Sequence, residues 1–309
     1  MPSDGRPVNR PADPGLPRTV IQNLTMTAAP GPIDPTRTLE LTSSGGTSLH
    51  AEVYLPDAPR SVALIVHGYA EHCGRYREVA HVLHATGCAV LAFDLRGHGR
   101  STGKRGHVGS FREYRDDLEA ARTAAVALAP DRPLLVVGHS NGSLIALAAL
   151  TDAVPLACKA AVLSSPFLAL RLAVPAPKIW LAKAASTIYP AFSQKNDLRP
   201  EDLTSDPAKQ AERVADTLCH DVASARWFTE ARAAQARVLA HADRVKVPTL
   251  WLIGGDDPIA DPAVSERFAR TIAGADVRRF DGYKHEVWNE RERAVPLAAL
   301  GEFARSITP

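Results

Sequence analysis

The sequence predicts an α/β fold whose open, mostly parallel, doubly wound sheet carries an N-terminal hairpin and a mostly helical insertion. Short segments of the chain are apolar without interruption, which is typical of parallel strands that are covered by helices on both faces. Helical patterns alternate with them, and this alternation indicates right-handed crossover connections. The apolar segments are 62–66, 89–93, 134–137, 160–163 and 249–253.

The elements before and between these strands follow from composition and periodicity. Residues 1–35 are rich in proline and poor in large apolar groups, so we expect a flexible tail. Segments 38–41 and 49–54 alternate in polarity and are joined by Ser-Ser-Gly-Gly, which predicts a hairpin. Helices are predicted at 76–85, 111–128, 142–150, 262–272 and 294–307, with a further strand at 277–280.

The alternation stops between about residues 166 and 247, where no clear strand is visible. Helical patterns at 211–218 and 224–241 predict a mostly helical insertion above the carboxyl ends of the strands, where open sheets bind ligands. The expected organisation is therefore a tail at 1–35, a core formed by 36–165 and 248–309, and a cap at 166–247.

The most informative motif is Gly138-His139-Ser140-Asn141-Gly142, between an apolar strand and a predicted helix. A sharp strand-to-helix turn exposes the serine hydroxyl, and the flanking glycines allow close approach of the backbone. We interpret Ser140 as a catalytic nucleophile. The alternative is a glycine-rich turn that contains an incidental serine.

A serine hydroxyl needs a base, and the base needs an orienting carboxylate. In the chain order Ser, Asp, His, the candidates are Asp257 with Asp256 as competitor, and then His285. Each follows a predicted strand. We favour Asp257 because it precedes a proline and lies deeper in the loop, and a helix-capping or solvated-turn role is the alternative for either aspartate.

The transition state of such a reaction also needs two backbone N–H donors for its oxyanion. The residue after the nucleophile, Asn141, is expected to supply one. The turn after the first long strand, His67-Gly68-Tyr69-Ala70, is expected to supply the other from Tyr69.

Composition and spacing argue against several other classes of protein. A net charge of +2 without a dense run of Lys and Arg gives no case for nucleic-acid binding. The four cysteines form no C-x-x-C pair, and His67 to His72 miss the H-x-x-E-H spacing, so no metal and no cofactor are expected. No stretch has the length of a signal peptide core or a membrane span, which favours a soluble cytoplasmic protein.

Taken together, the motifs resemble those of the monoglyceride lipase and lysophospholipase-like serine hydrolases of the α/β-hydrolase fold. The resemblance spans about residues 36–307. It implies the triad Ser140, Asp257 and His285, oxyanion amides at Tyr69 and Asn141, and a structural role for the Asp94-Arg96-His98 loop. Such enzymes commonly carry Met after the serine, whereas this chain has Asn141. The matching segments are HGYAEHCGRY (67–76), FDLRGHGRS (93–101), GHSNG (138–142), DTLCHDVASARWF (216–228), GGDDPI (254–259) and HEVWNE (285–290).

The resemblance implies hydrolysis of a carboxylic ester through an acyl-enzyme, with a monoacylglycerol or a similar single-chain lipid ester as the leading substrate. A lysophospholipase or short-chain carboxylesterase is the enzymatic alternative, and a ligand-binding protein without turnover is the alternative from another class. Phe167, Leu168 and Trp180 are candidates for the substrate pocket, although the apolar residues of this region are equally expected to form the core of the cap. Transient contact of the cap with a membrane surface is a further hypothesis.

Overall fold

The computed structural model describes residues 28–172, 174–196 and 198–308. Eight strands form one sheet in the order β1-β2-β4-β3-β5-β6-β9-β10. Positions 1–27 of the tail expected at 1–35 lie outside the described residues. The strands of this sheet are β1 Arg37–Thr42, β2 Ser48–Tyr54, β3 Ser61–Val66, β4 Cys88–Phe93, β5 Leu134–His139, β6 Ala160–Ser164, β9 Thr249–Gly254 and β10 Ala275–Phe280.

The hairpin and the parallel sheet are both confirmed. Strand β1 pairs antiparallel with β2, and β2 pairs antiparallel with β4, whereas every other neighbour in the large sheet is parallel. The hairpin turn contains Gly45 and Gly46, whose φ angles of 69° and 73° lie in the left-handed region that glycine adopts without strain.

Helices cover both faces of the sheet, which explains the uninterrupted apolar strands. In β3, Val62, Leu64 and Val66 face one core together with the helices at 111–128, 141–150 and 225–239. Ala63 and Ile65 face another core with the helices at 77–85 and 294–307. The described helices are α1 Arg77–Ala85, α2 Phe111–Leu128, α3 Asn141–Leu150, α4 Ala176–Ile188, α5 Pro200–Leu203, α6 Pro207–Ala215, α7 Ala225–Leu239, α8 Pro262–Ala269 and α9 Ala294–Ile307.

The segment between β6 and β9, here called the cap segment, contains α4 to α7 and corrects one expectation. Two short strands, β7 Ser193–Lys195 and β8 Val222–Ser224, pair antiparallel there, although the sequence predicts no strand. Three residues are too few to show a period of two, and the pairing partners lie far apart in the chain. No helix of the described ranges is long and apolar enough to cross a bilayer.

The sheet order decides where the functional loops meet. Strands β3, β5, β6, β9 and β10 run parallel, so the loops that follow their carboxyl ends emerge at the same edge of the sheet. These loops begin at residues 67, 140, 165, 255 and 281. Ligands of open α/β sheets bind at this edge.

Candidate active site

The turn between β5 and α3 has the geometry of a nucleophile elbow. Ser140 has φ 49° and ψ −113°, a conformation that costs energy for a residue with a side chain. Residues with a side chain do not fit at the positions two before and two after Ser140. A Cβ on Gly138 would lie 2.8 Å from the Cα of Ser143, and a Cβ on Gly142 would collide with the carbonyl oxygen of Val66. The two glycines therefore let β5 and α3 meet closely enough to expose Ser140.

His285 and Asp257 form a buried pair in the loops after β10 and β9. Nδ1 of His285 lies 2.7 Å from Oδ2 of Asp257, which fits a donated Nδ1–H and leaves Nε2 free to accept a proton. The other carboxylate oxygen accepts the N–H groups of Ile259 and Ala260 at 2.8 and 3.0 Å, which fixes the carboxylate. Asp256, the competing candidate, is exposed instead.

The surroundings of His285 favour its protonated form. Burial alone lowers the pKa of the imidazole, but the Asp257 carboxylate, its hydrogen bond and the more distant Glu286 and Glu71 together hold the pKa above its ordinary value. The neighbouring His139, whose ring centroid lies 4.9 Å from that of His285, behaves in the opposite way. Burial and the charge of His285 lower the pKa of His139 to about 4, so it stays neutral near pH 7.

Ser140 and His285 line the same cavity, whose volume is about 390 Å³. Gly68 and Tyr69 of the loop after β3 line it as well, so three loops from the sheet edge converge on one space. Most of the remaining lining is apolar and comes from the cap segment and the loops after β6 and β9: Phe167, Leu170, Leu172, Leu198, Leu203, Ala223, Trp227, Phe228, Pro258 and Ile259.

Two backbone N–H groups are available at the end of the cavity where Ser140 lies. Asn141 is the first residue of α3, where a helix has no internal acceptor for the N–H group. In the loop after β3, the N–H of Gly68 donates to Oε1 of Glu71 at 2.6 Å, whereas the next N–H, that of Tyr69, makes no hydrogen bond within the described residues. A Cβ on Gly68 would lie 3.3 Å from the Cβ of Ser140, so this loop passes directly beside the serine.

A buried ionic network supports the loop after β3 and was not assigned a role from the sequence. Glu71 accepts the Tyr76 hydroxyl at 2.6 Å and Nε of Arg75 at 3.1 Å, and Nη2 of Arg75 donates to Glu286 at 2.7 Å. Burial would raise the pKa of Glu71, but nearby positive groups and hydrogen bonds lower it to about 2. The i,i+4 spacing of Glu71 and Arg75 was the visible signal for this pair.

The side chain of Tyr69 connects the same loop to the cap segment. Its hydroxyl lies 3.0 Å from the carbonyl oxygens of Gly106 and Val222, and its ring stacks on Trp227 with a centroid separation of 3.6 Å. The backbone adds a further link, since the N–H of His220 donates to the carbonyl oxygen of Ala70. This contact of loop and cap could not be seen in the sequence.

The three pocket candidates from the sequence have different positions. Phe167 lines the cavity and stacks parallel to Trp227 at 6.2 Å. Leu168 is buried in the core and is absent from the cavity wall, and Trp180 is 74% exposed on α4, away from the wall. Phe167 therefore remains a candidate for the substrate pocket, and the expectation for the other two is wrong because one side chain lies in the core and the other in solvent.

The loop of Asp94, Arg96 and His98 has the structural role that the resemblance implies. Asp94 accepts the N–H groups of Cys73 and Arg100, both at 2.7 Å, and Arg96 forms a bidentate pair with the buried Asp117. These contacts hold the turn after β4 against its neighbours.

Potential metal ligands come together at two places in the described residues. One group is His50, Glu52 and Cys73, and the other is His72, Asp216 and Cys219. Each already has internal partners, since Glu52 binds Arg77 at 3.0 Å and His72 binds Asp216 at 2.7 Å. None of these six residues lines the cavity that Ser140 lines.

The fold, the elbow and the buried His–Asp pair define the class of this protein as an α/β-hydrolase. Residues 57–292 match the family described as serine aminopeptidase S33 (Hydrolase_4), and the chain belongs to this family. A monoacylglycerol lipase of Mycolicibacterium smegmatis is 32% identical over 257 residues, covering 82% of this chain and 91% of that protein.

Two further comparisons agree with this placement. The phospholipase YtpA of Bacillus subtilis is 29% identical over 80% of this chain and 96% of its own length. The crystal structure of a Paleococcus ferrophilus monoacylglycerol lipase is 29% identical, with a TM-score of 0.75 over 84% of this chain and 99% of that one. The chain is therefore a monoglyceride lipase-like serine hydrolase that cleaves carboxylic esters.

Proposed function

We propose that Ser140, His285 and Asp257 form the catalytic triad and that the substrates are lipid esters with a single acyl chain. One observation carries this proposal: a strained elbow serine lies on the wall of the same cavity as an imidazole that is held 2.7 Å from a buried carboxylate. The sheet topology brings the three loops to one edge, and the buried pairing of His285 with Asp257 beside the exposed serine is what a serine hydrolase requires.

The reaction proceeds through an acyl-enzyme. Nε2 of His285 takes the proton of the Ser140 hydroxyl, whose oxygen attacks the ester carbonyl. The N–H groups of Tyr69 and Asn141 bind the oxyanion, and His285 returns its proton to the departing alcohol. A water molecule then cleaves the acyl-enzyme with the same base.

The raised pKa of His285 favours the stage at which the imidazole has taken the proton of the nucleophile and has not yet given it to the leaving group. The Asp257 carboxylate stabilises this imidazolium and keeps the ring in the required tautomer. Before this stage the ring must be neutral, so the proposal predicts activity at neutral and alkaline pH.

The cavity supports the choice of substrate. Its wall is mostly apolar, and its volume of about 390 Å³ lies in the range of small-molecule sites, roughly 300–1,000 Å³. Monoacylglycerol leads because the relatives include proteins described as monoacylglycerol lipases, while a lysophospholipid or a short-chain ester is the alternative. Residues 166–247, as the cap, would cover the acyl chain.

The decisive experiment replaces the nucleophile. Ser140→Ala should reduce hydrolysis of a p-nitrophenyl ester by up to about 10⁶-fold, because the residues of a triad act as a unit. Ser143→Ala is the matched control, since this serine lies one turn further along α3 and its hydroxyl donates to the Ser164 carbonyl. Normal turnover by pure Ser140→Ala protein would remove the assignment.

A fluorophosphonate probe separates the enzyme from a binding protein without turnover. An activated Ser140 reacts with the probe, and the Ser143→Ala variant should react equally well. A folded wild-type protein that takes up no probe would favour the non-catalytic alternative.

We also propose that the protein is cytoplasmic and touches membranes through α4. Trp180, Leu181 and Ile188 of this helix are 74%, 67% and 84% exposed, and the same helix carries the exposed Lys178 and Lys183. Exposed apolar side chains flanked by lysines are typical of helices that lie on anionic lipid surfaces.

Sedimentation with anionic liposomes tests this contact. The fraction of protein that sediments with the liposomes should be several times smaller for the double variant Trp180→Ser, Ile188→Ser than for the wild type. Val154→Ser, which alters an exposed apolar residue outside the cap segment, should sediment like the wild type. Equal sedimentation of all three proteins would contradict the proposed surface.

A further inference from the structure

The wall of the cavity contains a guanidinium that the proposed reaction does not use. Arg213 of α6 lines the cavity together with Glu71, Glu286 and Asp202, whereas the rest of the wall is mainly apolar. Glu71 and Glu286 both influence the pKa of His285 and the pKa of Arg213, so these polar groups lie between Arg213 and the base that gives its proton to the departing alcohol. In the proposed reaction, the departing alcohol lies on the side of this base, where Arg213 also lines the cavity.

The guanidinium of Arg213 has few partners. Within the described part of the chain, its one hydrogen bond is from Nη2 to the carbonyl oxygen of His220 at 3.5 Å, and it forms no ion pair. A guanidinium offers five N–H donors, so most of them are available to a ligand. Arg75 and Arg96, by contrast, each contact two carboxylates.

The acidic groups around Arg213 are engaged elsewhere. Glu71 and Glu286 share Arg75, Asp216 binds His72 at 2.7 Å, and Asp202 binds Arg199 at 2.7 and 2.9 Å. None of these carboxylates forms an ion pair with the guanidinium of Arg213 within the described residues.

The charge of Arg213 is also insufficiently compensated. Burial and the like charge of Arg75 lower its pKa, and the attraction of Glu71, Glu286 and Asp216 does not offset them. A guanidinium that has lost water without gaining an anionic partner is stabilised when a ligand brings one.

We propose that Arg213 binds a phosphate on the alcohol side of the ester, so that the enzyme hydrolyses single-chain glycerophospholipids in addition to neutral esters. This inference rests on the proposed function, because it takes the carbonyl to be bound at Ser140. The planar fork of a guanidinium matches two phosphate oxygens, and the hydroxyl groups of glycerol offer no charge in return.

The experiment compares two micellar substrates with the same acyl chain, 1-oleoylglycerol and 1-oleoyl-lysophosphatidylglycerol. In Arg213→Gln, kcat/KM for the phosphate ester should fall about ten- to thirtyfold, the size expected when a charged hydrogen-bond donor is lost, while the neutral ester changes by less than about threefold. Arg213→Lys keeps the charge without the fork, so its loss should be intermediate.

Arg237→Gln is the matched control, because it removes one positive charge from an exposed position on α7 of the same cap segment. It should leave the ratio of the two rates unchanged, which excludes an effect of net charge on binding to micelles. Ser140-dependent hydrolysis of p-nitrophenyl butyrate, measured on every variant, tests the proposed function separately and reports that the variants are folded.

Three results would overturn the role of Arg213 while the proposed function stands. They are equal losses on both esters, an unchanged phosphate ester in Arg213→Gln, and wild-type enzyme that cleaves the neutral ester but not the phospholipid. If the wild type cleaves none of the three esters, the proposed function itself is wrong.

Discussion

Tyr69 offers a sharp test of how the cap is coupled to the proposed oxyanion hole. Its backbone N–H is the proposed donor, and its side chain reaches Gly106, Val222 and Trp227 on the other side of the loop. Replacing it with phenylalanine preserves the stacked ring and removes the hydroxyl alone. The substitution therefore separates anchoring of the loop from packing.

The structure sets the size of the expected effects. One O–H is shared by two carbonyl oxygens, each at 3.0 Å, and the carbonyl of Gly106 keeps a second donor in the N–H of Ser224 at 2.9 Å. In Tyr69→Phe the carbonyl of Gly106 therefore keeps one donor, whereas the carbonyl of Val222 loses the hydrogen bond from Tyr69. The free energy of unfolding should therefore fall by about 1–2 kcal/mol, the usual range for one buried hydrogen bond and its partner.

The catalytic effect should be smaller than complete loss of an oxyanion donor, which lowers the rate by roughly 10²–10³. Because the loop loses one anchor and keeps the Gly68 to Glu71 bond, we expect kcat to fall about three- to tenfold. The value of KM should change little, since the ring that lines the cavity remains.

Tyr114→Phe is the matched control. Tyr114 is fully buried, and its hydroxyl has no partner within the described residues, so its removal should cost nothing and can even stabilise the fold. Urea unfolding and steady-state kinetics on a p-nitrophenyl ester give both quantities for the two variants. If kcat of Tyr69→Phe equals that of Tyr114→Phe, the hydroxyl does not position the loop, and the coupling is refuted.

The remaining predictions concern the triad and the elbow. Asp257→Asn should lower kcat by about 10³–10⁴-fold and Asp256→Asn by less than threefold, and the reverse order would exchange their roles. The acid limb of kcat/KM should lie above pH 6.5, because the raised pKa of His285 keeps the imidazole protonated, and therefore inactive as a base, up to a higher pH. Asp257→Asn should move this limb to lower pH. An unmoved limb would show that the pair of His285 and Asp257 is not its origin. Gly142→Ala should destabilise the protein by more than about 2 kcal/mol, because the added methyl meets the carbonyl of Val66, whereas Gly274→Ala, at a glycine with open space around it, tests backbone strain alone in a thermal unfolding experiment.

The proposed triad could be predicted because its members lie at the ends of predicted strands. Parallel strands deliver the loops that follow them to one edge, so the order Ser140, Asp257, His285 already implied convergence. The choice of Asp257 over Asp256 depended on its place in the loop, and the structure puts Asp257 against His285.

Contacts made by the cap segment were beyond the reach of the sequence. The hydroxyl of Tyr69 meets Val222 across 153 positions of the chain, and no local pattern encodes such a distance. The strands β7 and β8 were missed for a related reason, since each is three residues long and is stabilised by its partner rather than by its own periodicity. Arg213 lies on a helix of the cap segment, where an arginine is normally solvated, so only its place in the cavity wall suggests the proposed role.

Asn141 shows why a departure from the family pattern need not disturb the chemistry. Its side chain is fully buried, and neither its oxygen nor its nitrogen has a partner within the described residues, which is costly for an amide. The contribution that the mechanism needs comes from the backbone N–H at the first position of α3, and this donor is the same for any residue but proline. The elbow thus sets the position of the proposed oxyanion donor through the direction of the helix, and the identity of the side chain at 141 is left to the packing around it.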